Sequence, residues 1–178
     1  MSSVTPQCQK KFDTDVKLLE ENPVPNMDAF RDPVLDMSWH FILHCEEDKK
    51  SPYSNGDYIG AFTHQNDYRT GPMFEIFTPS GRFGGGCYNI ISEWKDGYNV
   101  RDILTKFKEF WFTDEATDED IESIEKRQQY AKESVEFNTK FYTKILENFE
   151  ERRQLLKEGK KPIDKNTECY LPHIWIPS

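Results

Sequence analysis

Cys87 is the residue whose type and surroundings most clearly suggest covalent chemistry, because three consecutive glycines, Gly84 to Gly86, lie directly before it. A cysteine thiolate is a strong nucleophile when its sulfur is exposed and can ionise. The glycines remove side-chain bulk where a second polypeptide would approach the sulfur. The opposing interpretation is a small buried apolar side chain, which is common for free cysteines. Because glycine and polar residues flank Cys87, we favour an exposed nucleophile.

The segment around this cysteine, from Thr78 to Tyr98, has little apolar content apart from Ile90 and Ile91. Irregular loops of about 20 residues are uncommon in compact domains and usually carry a function. A phosphate-binding loop is an alternative use of the glycines. That alternative is disfavoured because the Lys-Ser/Thr pair of a P-loop is absent. We therefore predict a long irregular crossing that holds the site.

The composition of the chain predicts a folded domain. A length of 178 residues fits one domain, perhaps with an appendage. The chain contains 13 Phe, 8 Tyr and 4 Trp, too many large apolar side chains for a disordered segment. Its formal charge of −9, without a basic stripe, argues against nucleic-acid binding, because phosphate neutralisation supplies most of that affinity.

No apolar run approaches the roughly 20 residues that cross a bilayer, and the first residues lack the apolar core of a signal peptide. We therefore expect no membrane span in this chain and a cytoplasmic protein, with the nucleus as the alternative. The four cysteines are widely spaced and should remain reduced thiols. His40 and His44 would share one face of a strand, and we interpret them as solvent-facing imidazoles rather than metal ligands. No metal and no cofactor are predicted.

Hydrophobic periodicity predicts an α+β fold: an N-terminal helix, a four-stranded antiparallel meander, the irregular crossing and C-terminal helices. Helical spacing defines the first helix, which ends at Asn22-Pro23. The proline-containing stretch from Pro23 to Pro33 is predicted to be a loop. Strand-like alternation locates three of the strands, at residues 37–45, 58–64 and 73–77. Short turns between them imply antiparallel pairing.

Helical spacing resumes from Val100 to Phe112 and again from Ile121 to Leu156. Residues 114–125 carry seven acids and no base, which suits the positive end of a helix. The last stretch runs for about 40 residues without Gly or Pro, longer than a usual globular helix. We therefore expect a bend near Ser134 to Asn138. A single long helix able to pair with another chain is the alternative.

The order of these elements and motifs resembles the ubiquitin-conjugating enzymes. Residues 51–60 (SPYSNGDYIG) resemble that family's S/T-P-Y-x-x-G-x-Y/F-x-G turn. Residues 78–83 (TPSGRF) are similar to the T-x-N-G-R-F variant of its His-Pro-Asn element, found in the branch usually anchored to the endoplasmic reticulum. Three further matches are Trp39 in the preceding strand, the C-L-x-I-x-x-x-W pattern at Cys87, Ile90, Ile91 and Trp94, and the charged helix at residues 126–134. The resemblance covers about residues 8–142.

The resemblance implies a transferase. In that family an active cysteine, here Cys87, accepts ubiquitin or a ubiquitin-like modifier as a thioester from the ubiquitin-activating enzyme and passes it to a lysine. The resemblance further implies a conjugating-like catalytic domain at residues 5–145, followed by a helical extension and tail at 146–178. The alternative function is a weak or inactive relative that serves as a binding module for ubiquitin or for a partner conjugating enzyme.

One departure from the family pattern and three further candidate residues concern the site. The family's asparagine, which stabilises an oxyanion or orders the active loop, is replaced by Ser80, and a hydroxyl offers one donor where an amide offers two. Asn89 is a candidate substitute, because on an extended chain it projects to the same side as Cys87; a side chain that caps local loop backbone is the alternative. Either Asp118 or Asp120 is a candidate to assist deprotonation of the incoming lysine. The simpler interpretation is that both are solvated charges at the start of a helix.

Two stretches that contact ubiquitin ligases in the family also differ. The Y-P-x-x-P-P stretch is Tyr68-Arg69-Thr70-Gly71-Pro72 here, and Lys95-Asp96 stands where Ser-Pro often follows the tryptophan. Changes at the rim of an interface alter which partner binds more than whether the fold forms. We therefore expect any ligase to bind through non-standard contacts.

Overall fold

A computed structural model describes residues 6–31, 38–64, 70–83, 88–91, 93–113 and 121–157, with the side chains of residues 6, 8, 9, 30 and 141–157 outside the description. The described elements are three helices and four strands, which confirms the predicted α+β fold. In chain order they are α1 (Pro6–Glu21), β1 (Met27–Arg31), β2 (Ser38–His44), β3 (Asp57–Thr63), β4 (Met73–Ile76), α2 (Val100–Phe112) and α3 (Ile124–Lys157).

The four strands form one antiparallel meander in the order β1-β2-β3-β4. Strands β2, β3 and β4 lie within about a residue of their predicted positions. The prediction of an unbroken loop from Pro23 to Pro33 is wrong, because Met27 to Arg31 pair with Leu43 to Trp39 of β2. A five-residue edge strand has too short an alternation to be recognised locally, and it forms because β2 offers it a ladder of hydrogen-bonding groups.

One face of the sheet packs against α2 to form the core. Phe107 of α2 lies at the centre, with its ring centroid 4.6 Å from that of Phe41 and 5.1 Å from that of Phe74. Trp111, one turn later, contacts Tyr58 at 4.6 Å. These side chains are fully buried. Aromatic rings at such separations add packing energy to their burial, so α2 is fixed firmly on the sheet.

Helix α2 begins with a capping box. Asn99 accepts a hydrogen bond from the backbone N–H of Asp102, and the Asp102 carboxylate accepts one from the Asn99 N–H. Helix α1 lies against the same end, where Asp15 accepts a hydrogen bond from the Val100 backbone. Burial raises the pKa of Asp15 to about 6, although nearby Lys11 opposes the shift.

The opposite face of the sheet differs from the expectation. His40 is buried, with 2% of its surface exposed, so the prediction that both imidazoles face solvent is wrong for this residue. His44 is partly exposed and lies between two carboxylates, with Nδ1 2.9 Å from Asp57 and Nε2 3.0 Å from Asp28. Burial lowers the pKa of His44, but the two carboxylates outweigh it and leave the pKa above 6.5. Within the described residues, no three His, Cys, Asp or Glu side chains are grouped to hold a metal ion.

The last described helix, α3, is continuous over 34 residues and includes the position of the expected bend, residues 134–138. Its continuity agrees with the single long helix given as the alternative, and a bend of its axis stays a prediction. Across the residues described, none of the helices is both long and apolar enough to cross a membrane. Residue 145, the predicted domain boundary, lies inside α3, and the division of the chain there stays a prediction.

Candidate functional site

The candidate site is built on the loop from Thr78 to Phe83, which follows β4. Thr78 opens the loop and is 2% exposed. Its Oγ1 accepts a hydrogen bond from the Ile59 backbone N–H at 2.8 Å and donates to Oδ1 of Asn138 at 2.6 Å. The first residue of the loop is thereby tied to both β3 and α3.

Ser80 occupies the position of the family asparagine, and its side chain is turned into the protein. Only 1% of Ser80 is exposed. Its Oγ accepts hydrogen bonds from the backbone N–H groups of Arg82, at 3.1 Å, and Phe83, at 3.4 Å. A hydroxyl that binds backbone groups two and three residues onward closes a tight turn. The geometry therefore gives Ser80 a part in ordering the loop.

Gly81 allows α3 to approach this turn closely. Its φ of +68° lies in the left-handed region that favours glycine, and its carbonyl accepts a hydrogen bond from the Glu122 N–H at 2.8 Å. A Cβ atom at Gly81 would lie 2.9 Å from Cγ of Arg127 and 3.0 Å from Cβ of Glu122. Side chains are therefore excluded at Gly81 both by backbone conformation and by the neighbouring helix.

Arg82 fastens the loop to the end of α2. Its Nη2 donates to the carbonyl oxygens of Phe110, at 2.8 Å, and Thr113, at 2.9 Å. The Phe110 carbonyl lies in the last turn of the helix, where it also accepts the Thr113 N–H at 3.2 Å, and the Thr113 carbonyl lies just beyond the end of the helix. The positive guanidinium also complements the negative end of the helix and lies over the Phe110 ring, 5.0 Å from its centroid.

Phe83 and Tyr88 are the described residues on either side of the Cys87 segment. Their ring centroids are 5.0 Å apart, and Phe83 also packs on Trp111 at 5.4 Å. The Tyr88 backbone accepts from the Phe74 N–H at 2.8 Å and donates to the Phe74 oxygen at 2.7 Å. Cys87 itself lies outside the described residues, so its predicted exposure stays a prediction.

Asn89 is exposed and lies beside the predicted ligase-facing stretch. A Cβ atom at Gly71 would lie 3.5 Å from Oδ1 of Asn89 and 3.7 Å from Cε3 of Trp94. Gly71, in the stretch at residues 70–72, and Trp94 therefore lie close together beside Asn89. Residues 68 and 69 lie outside the description, and the catalytic role of Asn89 stays a prediction.

Cys45 is the cysteine whose side chain the description includes, and it is unsuited to the chemistry. It is 7% exposed in the core beside β2. Burial raises the pKa of the Cys45 thiol to about 12, and the Asp57 carboxylate adds to the effect. A thiol that stays protonated and enclosed is not a nucleophile. Asp118 and Asp120 lie outside the described residues, so their roles stay predictions.

Comparison with curated proteins finds relatives over most of the chain. Ubiquitin-conjugating enzyme E2 6 of Candida glabrata is 30% identical over 144 residues, which cover 76% of this chain and 58% of the relative. Proteins of the same name are 31% identical over 144 residues in Saccharomyces cerevisiae (76% and 57% covered) and 28% identical over 172 residues in Eremothecium gossypii (89% and 70% covered). The chain belongs to the ubiquitin-conjugating enzyme family. No family model matches it.

Membership of the ubiquitin-conjugating enzyme family confirms the resemblance drawn from the motifs, and the helix–meander–helix architecture agrees with that family's fold. The chain spans less than two thirds of the Candida glabrata and Saccharomyces cerevisiae relatives.

Sequence reasoning missed two residues that build the loop of this ubiquitin-conjugating domain. Arg82 was noted only as part of the TPSGRF motif, and nothing in the sequence indicates that its partners are carbonyls near the end of α2. Asn138 carries a signal, because asparagine is a poor residue for a helix interior. It enters the predictions only as the end of the expected bend, which rests on helix length, whereas its side chain binds Thr78.

Proposed function

We propose that this chain is the catalytic domain of a ubiquitin-conjugating enzyme, with Cys87 as the residue that carries ubiquitin or a ubiquitin-like modifier as a thioester. The observation that carries the proposal is the pair of fixed residues around the Cys87 segment. Phe83 ends a loop tied to α2 and α3, and Tyr88 is hydrogen-bonded to β4 in both directions. These two anchors are the support for assigning the modifier-carrying role to the cysteine between them.

The proposed reaction has two acyl transfers. In the first, the Cys87 thiolate attacks the carbonyl carbon of the modifier's thioester on the activating enzyme. A new C–S bond forms, the old C–S bond breaks, and the activating enzyme's thiolate leaves. In the second, a neutral lysine amine attacks the same carbonyl carbon, an amide bond forms and the Cys87 thiolate leaves. The amine loses a proton, for which Asp118 or Asp120 is the proposed acceptor. The activating enzyme consumes ATP before the first transfer.

The described residues set aside one competing cysteine. Cys45 is enclosed and its pKa is raised to about 12, so it does not compete for the modifier. Gly71 and Trp94 lie together near the exposed Asn89, on the side where a ligase with non-standard contacts would bind. We propose that the protein acts in the cytoplasm, with the nucleus as the alternative.

The decisive experiment combines the protein with activating enzyme, ATP and ubiquitin and examines adducts with and without a thiol reductant. The expected result is an adduct that the reductant cleaves. Cys87→Ser should give an oxygen ester that resists the reductant, because an alkoxide is a poorer leaving group than a thiolate. Cys45→Ala is the matched control and should charge like the parent. An adduct that survives unchanged in Cys87→Ala would refute the assignment, and the test is repeated with other ubiquitin-like modifiers before inactivity is concluded.

A second function, a binding module with little or no transfer activity, is favoured by one observation. The Ser80 oxygen accepts two loop N–H groups and its side chain is 1% exposed, so residue 80 presents no amide donor to a developing oxyanion. The binding module predicts that ubiquitin or a partner conjugating enzyme binds with the same affinity to the parent and to Cys87→Ala, while no modifier yields a reducible adduct.

A further inference from the structure

Two polar side chains on α3 grip the backbone at the start of β3. Oγ of Ser134 accepts a hydrogen bond from the Asp57 N–H at 2.9 Å. One turn later, Nδ2 of Asn138 donates to the Asp57 carbonyl oxygen at 2.7 Å. Residue 57 thus has both of its backbone groups bound to one helix. This arrangement fixes α3 relative to the sheet at a single residue.

The Asn138 side chain makes a second contact that Ser134 does not share. Its Oδ1 accepts a hydrogen bond from the Thr78 hydroxyl at 2.6 Å, and the same hydroxyl accepts from the Ile59 N–H at 2.8 Å. The amide therefore uses its nitrogen on the sheet and its oxygen on the loop. Because the two ends of an amide are not interchangeable, this geometry holds the side chain in one orientation.

The loop attached to Thr78 is the one closed by Ser80. Thr78 is 2% exposed and lies two residues before Ser80, and the Gly81 carbonyl binds the N–H of Glu122, two residues before α3 begins. Hydrogen bonds buried in surroundings of low polarity are costly to leave unmade. Loss of the Asn138 contact would therefore remove the bond between Thr78 and α3, leaving Thr78 bonded to Ile59 while Gly81 still holds the other end of the loop.

We propose that Asn138 is a positioning residue, which acts through the Thr78 hydroxyl to hold the Ser80 turn in place beside the transfer site. The proposal rests on the proposed function. It assigns to α3 a part in the transfer step in addition to its part in stability. Ser134 provides the comparison, because it binds the same residue of β3 from the same helix without touching the loop.

The kinetic test measures single-turnover transfer from the charged protein to free lysine. Asn138→Ala and Thr78→Val both remove the hydrogen bond between Thr78 and Asn138 and should each slow transfer about tenfold or more, since each also removes a second bond, to Asp57 or to Ile59 respectively. Charging by the activating enzyme should stay at the parent rate. Ser134→Ala, the matched control, should lose stability but transfer at the parent rate. Thr78→Ser keeps the hydroxyl and should restore transfer. The double variant Thr78→Val/Asn138→Ala should be slowed by less than the product of the two single effects, because both single variants remove the shared contact.

A second measurement separates failure of this proposal from failure of the proposed function. Hydrogen exchange of the Arg82 and Phe83 amides, which bind the Ser80 oxygen, should accelerate in Asn138→Ala and Thr78→Val and stay at the parent rate in Ser134→Ala. Equal exchange in Asn138→Ala and Ser134→Ala would overturn the positioning role, whether or not the parent carries a modifier. If the parent never forms a thioester, the proposed function fails. The hydrogen-exchange comparison then still decides whether Asn138 positions the loop. If Asn138→Ala does not fold, the Thr78→Val and Thr78→Ser pair decides in its place.

Discussion

Substitution of Gly81 by alanine tests how tightly α3 is packed against the candidate loop. Gly81 has a φ of +68°, and an alanine pays about 1–2 kcal/mol to adopt left-handed backbone. The new Cβ atom would also lie 2.9 Å from Cγ of Arg127 and 3.0 Å from Cβ of Glu122. Neither neighbour moves away easily, because Glu122 is bonded to Gly81 through its backbone and Arg127 is bonded to Tyr53 at 3.0 Å.

Forced overlap of this kind costs about 1–3 kcal/mol, so Gly81→Ala should lower the free energy of unfolding by about 2–5 kcal/mol in all. Gly97→Ala is the matched control: Gly97 also has a positive φ, +96°, but a Cβ atom there meets nothing within 4 Å. The control should lose only the backbone share. Equilibrium urea unfolding followed by circular dichroism measures both. A cost for Gly81→Ala no larger than that for Gly97→Ala would refute the packing argument.

Two further predictions concern ionisation. Because burial raises the pKa of Asp15 to about 6, the parent loses stability as pH rises from 3.8 through 6. In urea unfolding, Asp15→Asn should therefore be more stable than the parent at pH 8 but not at pH 4. A stability difference that does not change with pH would contradict this. His44 has a raised pKa, so its contribution is present below pH 6.5 and is lost as pH rises through the folded value. Asp28→Asn should lower the His44 titration midpoint seen by NMR, and an unchanged midpoint would exclude the ion pair as its cause.

Local patterns in the sequence predict the elements whose causes are local. Helix α2 has the predicted bounds, Val100–Phe112, because its apolar spacing and its cap are both contained in neighbouring residues. Strand β1 is stabilised by pairing with β2, which comes later in the chain. Its own five residues give too little alternation to identify it as a strand. His40 shows the same limit, because alternation assigns a residue to a face of the sheet but does not predict how deeply that face is buried.

The candidate site also has features that local sequence predicts and features that depend on residues far apart in the chain. The motif with Ser80 and the glycines before Cys87 are visible in the sequence, and they direct attention to the loop from Thr78 to Phe83. The contacts that hold the loop join residues far apart in the chain: Thr78 with Asn138, and Arg82 with carbonyls near the end of α2. Hydrogen bonds across such separations follow from the packing of complete elements, so the periodicity of the sequence does not predict them. Asp118 and Asp120 lie outside the described residues and stay predictions. The sequence alone gives no means of choosing between them and the other acids of residues 114–125.

The contact between Phe83 and Trp111 has a spectroscopic consequence. The indole of Trp111 is fully enclosed, and its ring centroid is 5.4 Å from that of Phe83. An indole in dry surroundings emits at shorter wavelength than one in water, and its brightness responds to the movement of adjacent groups. A partner that displaces Phe83 would therefore alter the light that the chain itself emits, and its arrival could be timed in a stopped-flow instrument without any attached dye.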